Sequence, residues 1–303
     1  MHATDAIRGM LLPIPTVFDG TGEVDEPLMR EMTRFYLDAG IHALFVCGSF
    51  GQGPAMRLDQ RKAVAELIVQ EVRGRIPVII HIGTVDPYSA VELGQHARAI
   101  GADGIGVVGP FYYSDRTPEE LVLHFQMIDA AVQLPILVYN NPGYQGYAIT
   151  PALMQRLVAA VPRIFGAKLA MGTIPEALEY LEQIPGFAPF ILGNGLLEGM
   201  RQGIRGTVSP PLAATPELGV DLIRAIDEGR DEEARRLQDL ASEVNDELIK
   251  YWKKYGRVAF AEALRALGFP IKQYPRWPTP TMAEEDRQAM LAVLKCARPA
   301  TVG

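Results

Sequence analysis

Lys168 closes an apolar run, Ile164-Phe165-Gly166-Ala167-Lys168, and Tyr139 closes the run before it, Leu134-Pro135-Ile136-Leu137-Val138-Tyr139. Short apolar runs that alternate with helical patterns read as buried parallel strands. An ammonium at the last residue of such a strand is unusual, because burying it without a partner is costly or forces its pKa down. A lysine depressed in this way is a nucleophilic amine, able to attack a ketone and form a Schiff base. The plainer alternative is a lysine that snorkels from a strand end into solvent. Lys168 alone does not decide between them.

Three other strand ends bear on the choice. Gly48-Ser49-Phe50-Gly51-Gln52-Gly53 is a glycine-rich turn whose backbone N–H groups could point at an anion. Gly109-Pro110-Phe111-Tyr112-Tyr113 supplies phenols, and Tyr139-Asn140-Asn141-Pro142-Gly143 follows the tyrosine run. Glycine turns and aromatic pairs are each more often structural than functional. Brought to one face together, an anion nest, phenols and an amine suit a 2-oxo acid. The nest would hold the carboxylate, the lysine would attack the ketone and a tyrosine would shuttle protons.

The elements that must converge these ends form a repeating series. Strand patterns occur at 10–15, 43–47, 78–81, 105–108, 134–139, 164–168, 189–192 and 206–209, most of them separated by helical patterns. Gly40 and Gly101 close two of the helices. Thr117-Pro118-Glu119-Glu120 opens another with an N-cap, a first-turn proline and acids suited to the macrodipole. About eight strand–helix units predict a (β/α)8 TIM barrel, an α/β fold with catalytic groups at the C-terminal ends of its strands. The turn after the first strand, Thr16-Val17-Phe18-Asp19-Gly20, lacks the G-x-G-x-x-G that a doubly wound dinucleotide-binding sheet would favour. From about residue 215 the pattern is helical only. The expected division is a barrel over 1–214 and C-terminal helices over 215–303 packed on it.

Composition narrows the class of function. A net charge of −7 over 303 residues, without a basic cluster, argues against a nucleic-acid partner. No run of about 18 apolar residues predicts a membrane span, and the first residues do not resemble a secretory signal. Cys47 and Cys296 lack redox or metal spacing, and the histidines form no ligand pattern with acids. A cytoplasmic, metal-free protein is the expectation.

The strand-end tyrosine, the lysine on the next strand and Gly48-Ser49-Phe50-Gly51 resemble the dihydrodipicolinate synthase / N-acetylneuraminate lyase family. Pro110-Phe111-Tyr112-Tyr113, Gly193 and Gly206-Thr207-Val208-Ser209 support the likeness, which runs from about Gly9 to Leu267. The resemblance implies a pyruvate-dependent class I aldolase or dehydratase on a (β/α)8 barrel, with a covalent lysine imine and no cofactor. It implies Lys168 as the Schiff-base lysine, Tyr139 as the proton relay and Ser49 as the hydroxyl that links tyrosines. Tyr112 resembles the tyrosine that reaches into a neighbouring subunit, which implies a homo-oligomer, a dimer or a tetramer. Gly48, Phe50, Gly51, Tyr144, Gly193, Asn194 and Val208 fall at the remaining substrate positions.

Several positions depart from the family pattern. Phe50 replaces the second hydroxyl of the glycine turn, and Gln52 replaces a glutamate. Tyr144 occupies the place where dihydrodipicolinate synthases usually carry an arginine, and a phenol cannot pair bidentately with a carboxylate. Gly193-Asn194-Gly195-Leu196 lacks the acids that hold sugar hydroxyls in sialic acid lyases. With Phe50, Tyr144, Leu169 and Leu196 read as the wall of the site, the expected partners are a 2-oxo acid and a less polar aldehyde. The competing expectations are a 2-keto-3-deoxy sugar acid dehydratase or aldolase, drawing on Asn140, Asn141 and Asn194, a dihydrodipicolinate synthase, and a catalytically silent barrel that binds a 2-oxo acid.

Overall fold

The computed structural model describes residues 3–170 and 173–297; the outermost residues of the two expected units, 1–2 and 298–303, lie outside the described ones. Eight parallel strands close a barrel in chain order: β1 (Gly9–Pro13), β2 (Ala43–Val46), β3 (Val78–His81), β4 (Gly104–Val108), β5 (Ile136–Asn140), β6 (Ile164–Leu169), β7 (Ala188–Ile191) and β8 (Gly206–Thr207). Closure is made by β1 on β8, with Gly9 opposite Gly206 and Met10 opposite Thr207. The protein is therefore the (β/α)8 barrel that the alternation predicts. β1 stops at Pro13, short of the expected Pro15, and β8 pairs over two residues, short of the expected four.

The helices are α1 (Glu26–Asp38), α2 (Leu58–Val72), α3 (Pro87–Ala99), α4 (Pro118–Val132), α5 (Pro142–Gln145), α6 (Pro151–Ala160), α7 (Ile174–Gln183), α8 (Leu196–Arg201), α9 (Pro216–Asp227), α10 (Asp231–Tyr255), α11 (Val258–Arg265) and α12 (Glu284–Cys296). Side-chain caps fix several of the turns into these helices. Thr117 accepts from the Glu120 N–H at 3.2 Å while Glu120 accepts from the Thr117 N–H at 2.8 Å, the reciprocal capping box. Thr173 and Glu176 repeat the box at α7, and Asp25, Asp86 and Thr150 cap α1, α3 and α6 by a single side-chain acceptance each.

Two apolar layers follow from the period of two along each strand. Leu11, Phe45, Ile79, Leu137, Phe190 and Val208 point inward and fill the barrel. Leu12, Leu44, Val46, Ile80 and Val138 point outward against the helices. The C-terminal helices then cover one side. Gln238 of α10 donates to the Gly193 carbonyl and accepts from the Leu197 N–H, fastening the extension to the loop after β7. Beyond α11 the chain returns as a strap over the second βα loop. Gln273 pairs with Phe18, the Tyr274 hydroxyl donates to the Phe50 carbonyl at 3.0 Å, and the Arg276 N–H donates to Gln52 Oε1 at 3.0 Å.

Candidate active site

Strand parity places three side chains above the barrel filling. Leu137 points inward on β5, so Tyr139 does as well; on β6, Gly166 and then Lys168 follow the same rule; on β3, Ile79 and then His81. Lys168 and Tyr139 are each 3% exposed, so the lysine does not snorkel to solvent. Its Nζ lies 4.0 Å from the centre of the Tyr139 ring and 5.1 Å from that of Phe45. Aromatic faces stabilise the cation, and no described carboxylate lies within ion-pairing distance of it.

The Tyr139 hydroxyl is held from two sides. It lies 2.9 Å from Ser49 Oγ and accepts from Asn141 Nδ2 at 3.0 Å. Burial alone would push the phenol up. The Lys168 charge, together with hydrogen bonds from Ser49, Asn141 and Lys168, outweighs burial and leaves the phenol below its ordinary value.

The glycine turn from Gly48 to Gly53 folds back on β2. The Gly53 N–H donates to the Gly48 carbonyl and the Gln52 N–H to that of Ser49, while Cys47 and Gln52 take left-handed backbone, with φ of 56° and 60°. Among the described residues, the N–H groups of Ser49, Phe50 and Gly51 donate to no protein acceptor. At Gly51 a Cβ would come within 2.9 Å of the Ile14 carbonyl oxygen, so the turn requires glycine there. These free donors form a concave group suited to a carboxylate.

A cavity of about 220 Å³ opens above this floor, lined by Ser49, Gln52, Pro54, Ala55, His81, Val108, Phe111, Tyr139, Tyr144, Arg257 and Trp277. His81 is buried with both ring nitrogens unpartnered. Burial, then the charges of Arg61 and Lys168, hold it well below the ordinary imidazole range, so the ring is neutral. Arg61 of α2 fixes the end of β3 by donating to the carbonyls of His81 at 2.7 Å and Gly83 at 3.0 Å.

Ser49, Tyr139 and the half-exposed Tyr144 line this cavity, Lys168 lies against the Tyr139 ring, and Gly48 and Gly51 flank Ser49 in its turn. Other residues named from the sequence lie elsewhere. Phe50 turns away from the cavity and packs edge-on against Phe260 and Tyr274, with ring centres 5.0 and 5.7 Å apart. Leu196 is in the outer core and Val208 inside the barrel, while Leu169 borders a separate cleft beside Tyr180. Gly193 packs near Ser209, and Asn194 donates to Asp246 of α10. Asn140 is engaged by Ile149, Gln145 and Tyr180. Tyr112 is 81% exposed, stacked edge-on with Tyr113, and holds a φ of 78° that costs a bulky residue strain.

Beside Tyr144, which stands in the place of the family's arginine, the structure brings a guanidinium from elsewhere in the chain. Arg257 comes from the corner between α10 and α11 and donates to the Tyr144 hydroxyl at 2.9 Å. His81 was detectable, since it ends an apolar strand as Lys168 does. Arg257 and Trp277 carry no such signal, because they reach the site from the C-terminal extension, Arg257 meeting Tyr144 across 113 residues of chain.

Over residues 6–297 the chain matches the Dihydrodipicolinate synthetase family. It belongs to that family. A probable 2-dehydro-3-deoxy-D-pentonate aldolase of Escherichia coli K12 is 30% identical, over 94% of this chain and 96% of the relative. The 4-hydroxy-tetrahydrodipicolinate synthase of Nitratidesulfovibrio vulgaris is 33% identical, over 81% and 82%. Dihydrodipicolinate synthase of Aquifex aeolicus superposes with a TM-score of 0.87 at 28% identity, covering 96% of this chain and 98% of that one. As a member of the dihydrodipicolinate synthetase family, the protein is a lyase of the class I aldolase type. None of the helices among its described residues is long and apolar enough to cross a membrane.

Proposed function

We propose that Lys168 forms an imine with a 2-oxo acid, and that the enzyme makes or cleaves the C–C bond between pyruvate and an aldehyde with few hydroxyls. The observation that carries this reading is the Lys168–Tyr139 pair: a buried amine over the ring of a phenol whose hydroxyl is held by Ser49 and Asn141. The free N–H groups of Ser49, Phe50 and Gly51 support a carboxylate site beside it. The walls formed by Val108, Phe111 and Trp277 support an apolar body for the aldehyde.

In the cleavage direction Lys168 Nζ attacks C2 of the substrate, and the carbonyl oxygen leaves as water. The C3–C4 bond then breaks and its electron pair enters the enamine. Tyr139 takes the proton of the C4 hydroxyl as that oxygen becomes the aldehyde carbonyl. A proton returns to C3, and hydrolysis of the imine releases pyruvate and restores the amine. No external cofactor is needed. The exposed, strained Tyr112 supports an assembly of copies, a dimer or tetramer, in which its phenol serves a neighbouring site. Sedimentation velocity tests that, and a fully active monomer would exclude it. The two free cysteines fit a cytoplasmic setting.

A second reading, a 2-keto-3-deoxy sugar acid lyase, draws on the unpartnered Gln52 Nε2 and His81 nitrogens, which could meet substrate hydroxyls. Asn140 and Asn194 no longer support it, being engaged elsewhere. The primary test is pyruvate with borohydride, followed by intact mass and peptide mapping. A pyruvyl adduct on Lys168, absent in Lys168→Ala, is expected. Folded protein that traps no 2-oxo acid would leave only the silent barrel. A preference for short hydroxyaldehydes over aryl or alkyl aldehydes would favour the sugar-acid reading.

A further inference from the structure

Among the described residues lining the cavity, Arg257 is the one charged side chain. Tyr255 ends α10, Gly256 takes left-handed backbone with φ of 73°, and α11 starts at Val258, so Arg257 sits on a sharp corner aimed over the barrel mouth. Its guanidinium lies 5.9 Å from the centres of both the Trp252 and Trp277 rings. It donates to the Tyr144 hydroxyl at 2.9 Å. A guanidinium has five N–H donors and stays protonated. Among the described residues Arg257 has no carboxylate partner, and no Asp or Glu lines the cavity.

A second donor belongs to another residue that lines the cavity, Gln52. The Arg276 N–H occupies Gln52 Oε1 at 3.0 Å, which fixes the amide so that Nε2 is the free end. That nitrogen is buried, unpartnered, and belongs to a residue lining the cavity. An unmet buried donor is costly unless something fills it. Lys168 stands against the Tyr139 ring, which lines the cavity, and the free backbone donors of the glycine turn belong to Ser49 and its neighbours. Arg257 and Gln52 thus add donors to those of the glycine turn among the residues lining the cavity, which also carries apolar wall from Val108, Phe111 and Trp277.

The two departures in the glycine turn build this arrangement. Phe50 anchors the extension through Phe260 and Tyr274, and Gln52 anchors the strap through Arg276. Both substitutions hold the elements that bring Arg257 and Trp277 over the site. They are docking contacts for the C-terminal extension and its strap.

We propose that Arg257, supported by Gln52 Nε2, is a specificity-determining residue that binds a carboxylate at the far end of the aldehyde, so that the C–C bonded substrate is a 2-oxo diacid with an apolar middle. The inference rests on the lyase reading above. Wild-type enzyme with pyruvate is offered matched pairs, succinic semialdehyde against its methyl ester and 4-carboxybenzaldehyde against its methyl ester. The acid of at least one pair is expected to be preferred by about 10- to 100-fold in kcat/KM, the range a charge-assisted hydrogen bond supplies. In Arg257→Met that ratio falls toward one, and Arg257→Lys restores part of it. A purely structural role, holding the two indoles together, would lower both members of a pair equally and overturn the assignment. Wild-type enzyme without acid preference in either pair overturns it without any variant. Absence of a pyruvyl adduct on Lys168 would instead sink the underlying lyase reading, so the two failures are distinct.

Discussion

Tyr139 and Lys168 are direct register partners across β5 and β6, and the ammonium stands 4.0 Å from the centre of the tyrosine ring. Pairing between adjacent parallel strands fixes this relationship more firmly than a loop could, since both backbones are locked into the ladder. The ring supports the amine while the hydroxyl, held by Ser49 and Asn141, remains beside it for proton transfer. Tyr139→Phe keeps the ring and removes only the hydroxyl. The variant is expected to fold and to trap pyruvate, with turnover lowered by about 10²- to 10⁴-fold, the usual worth of a positioned acid or base. Single-turnover cleavage compared with borohydride trapping checks this, and turnover equal to wild type would remove Tyr139 from the relay.

The hydrogen bonds on Tyr139 also set the alkaline limit of activity. Lys168 and the donors favour the phenolate, so the phenol titrates below the ordinary 10.0 although burial opposes them. In the condensation direction, where Tyr139 gives its proton to the new C4 oxygen, the step requires the protonated phenol, and kcat/KM falls as pH rises through that lowered value. Asn141→Ala removes a donor at 3.0 Å. The phenol then titrates higher, and the alkaline limb of the pH profile moves up. A limb that stays in place in both Asn141→Ala and Ser49→Ala would assign it to another group.

Much of the barrel and its floor was legible because both depend on local periodicity. Alternation of apolar runs with capped helices announced the fold, and the last residue of each run fell at the C-terminal face. The same parity carried Lys168 and Tyr139 to one point, and the turn after β2 brought Ser49 to 2.9 Å from the Tyr139 hydroxyl. The upper wall was illegible for a physical reason. Phe50, Leu169 and Leu196 are near the site in sequence, yet each side chain turns into a core that only tertiary packing creates. Arg257 and Trp277 arrive from the extension, and no local pattern near Lys168 encodes that approach. Asn194 misled similarly, since its partner Asp246 lies 52 residues later.

Buried histidines make the fold sensitive to acid. His124 of α4 is buried, and burial, then the charge of Arg116, push it from 6.5 down to about 4, with Asp86 opposing. His81 is likewise lowered, facing Arg61 and Lys168. In the unfolded chain both titrate near 6.5, so below that pH the unfolded state binds more protons than the folded one. Stability is thus complete above about pH 6.5 and falls as pH drops toward the folded values. For His124 alone, full loss corresponds to on the order of 3 kcal/mol. Carboxylates act in a lower window, as with Glu284, held near 2 by Arg287 and Gln288. Urea midpoints at pH 7.0, 5.5 and 4.5 separate the two, with both steps of this series expected to lower the midpoint. His124→Gln should flatten part of that decline while lowering stability little at pH 7. A midpoint that holds steady from pH 7 to 4.5 would mean that neither imidazole is kept neutral by the fold.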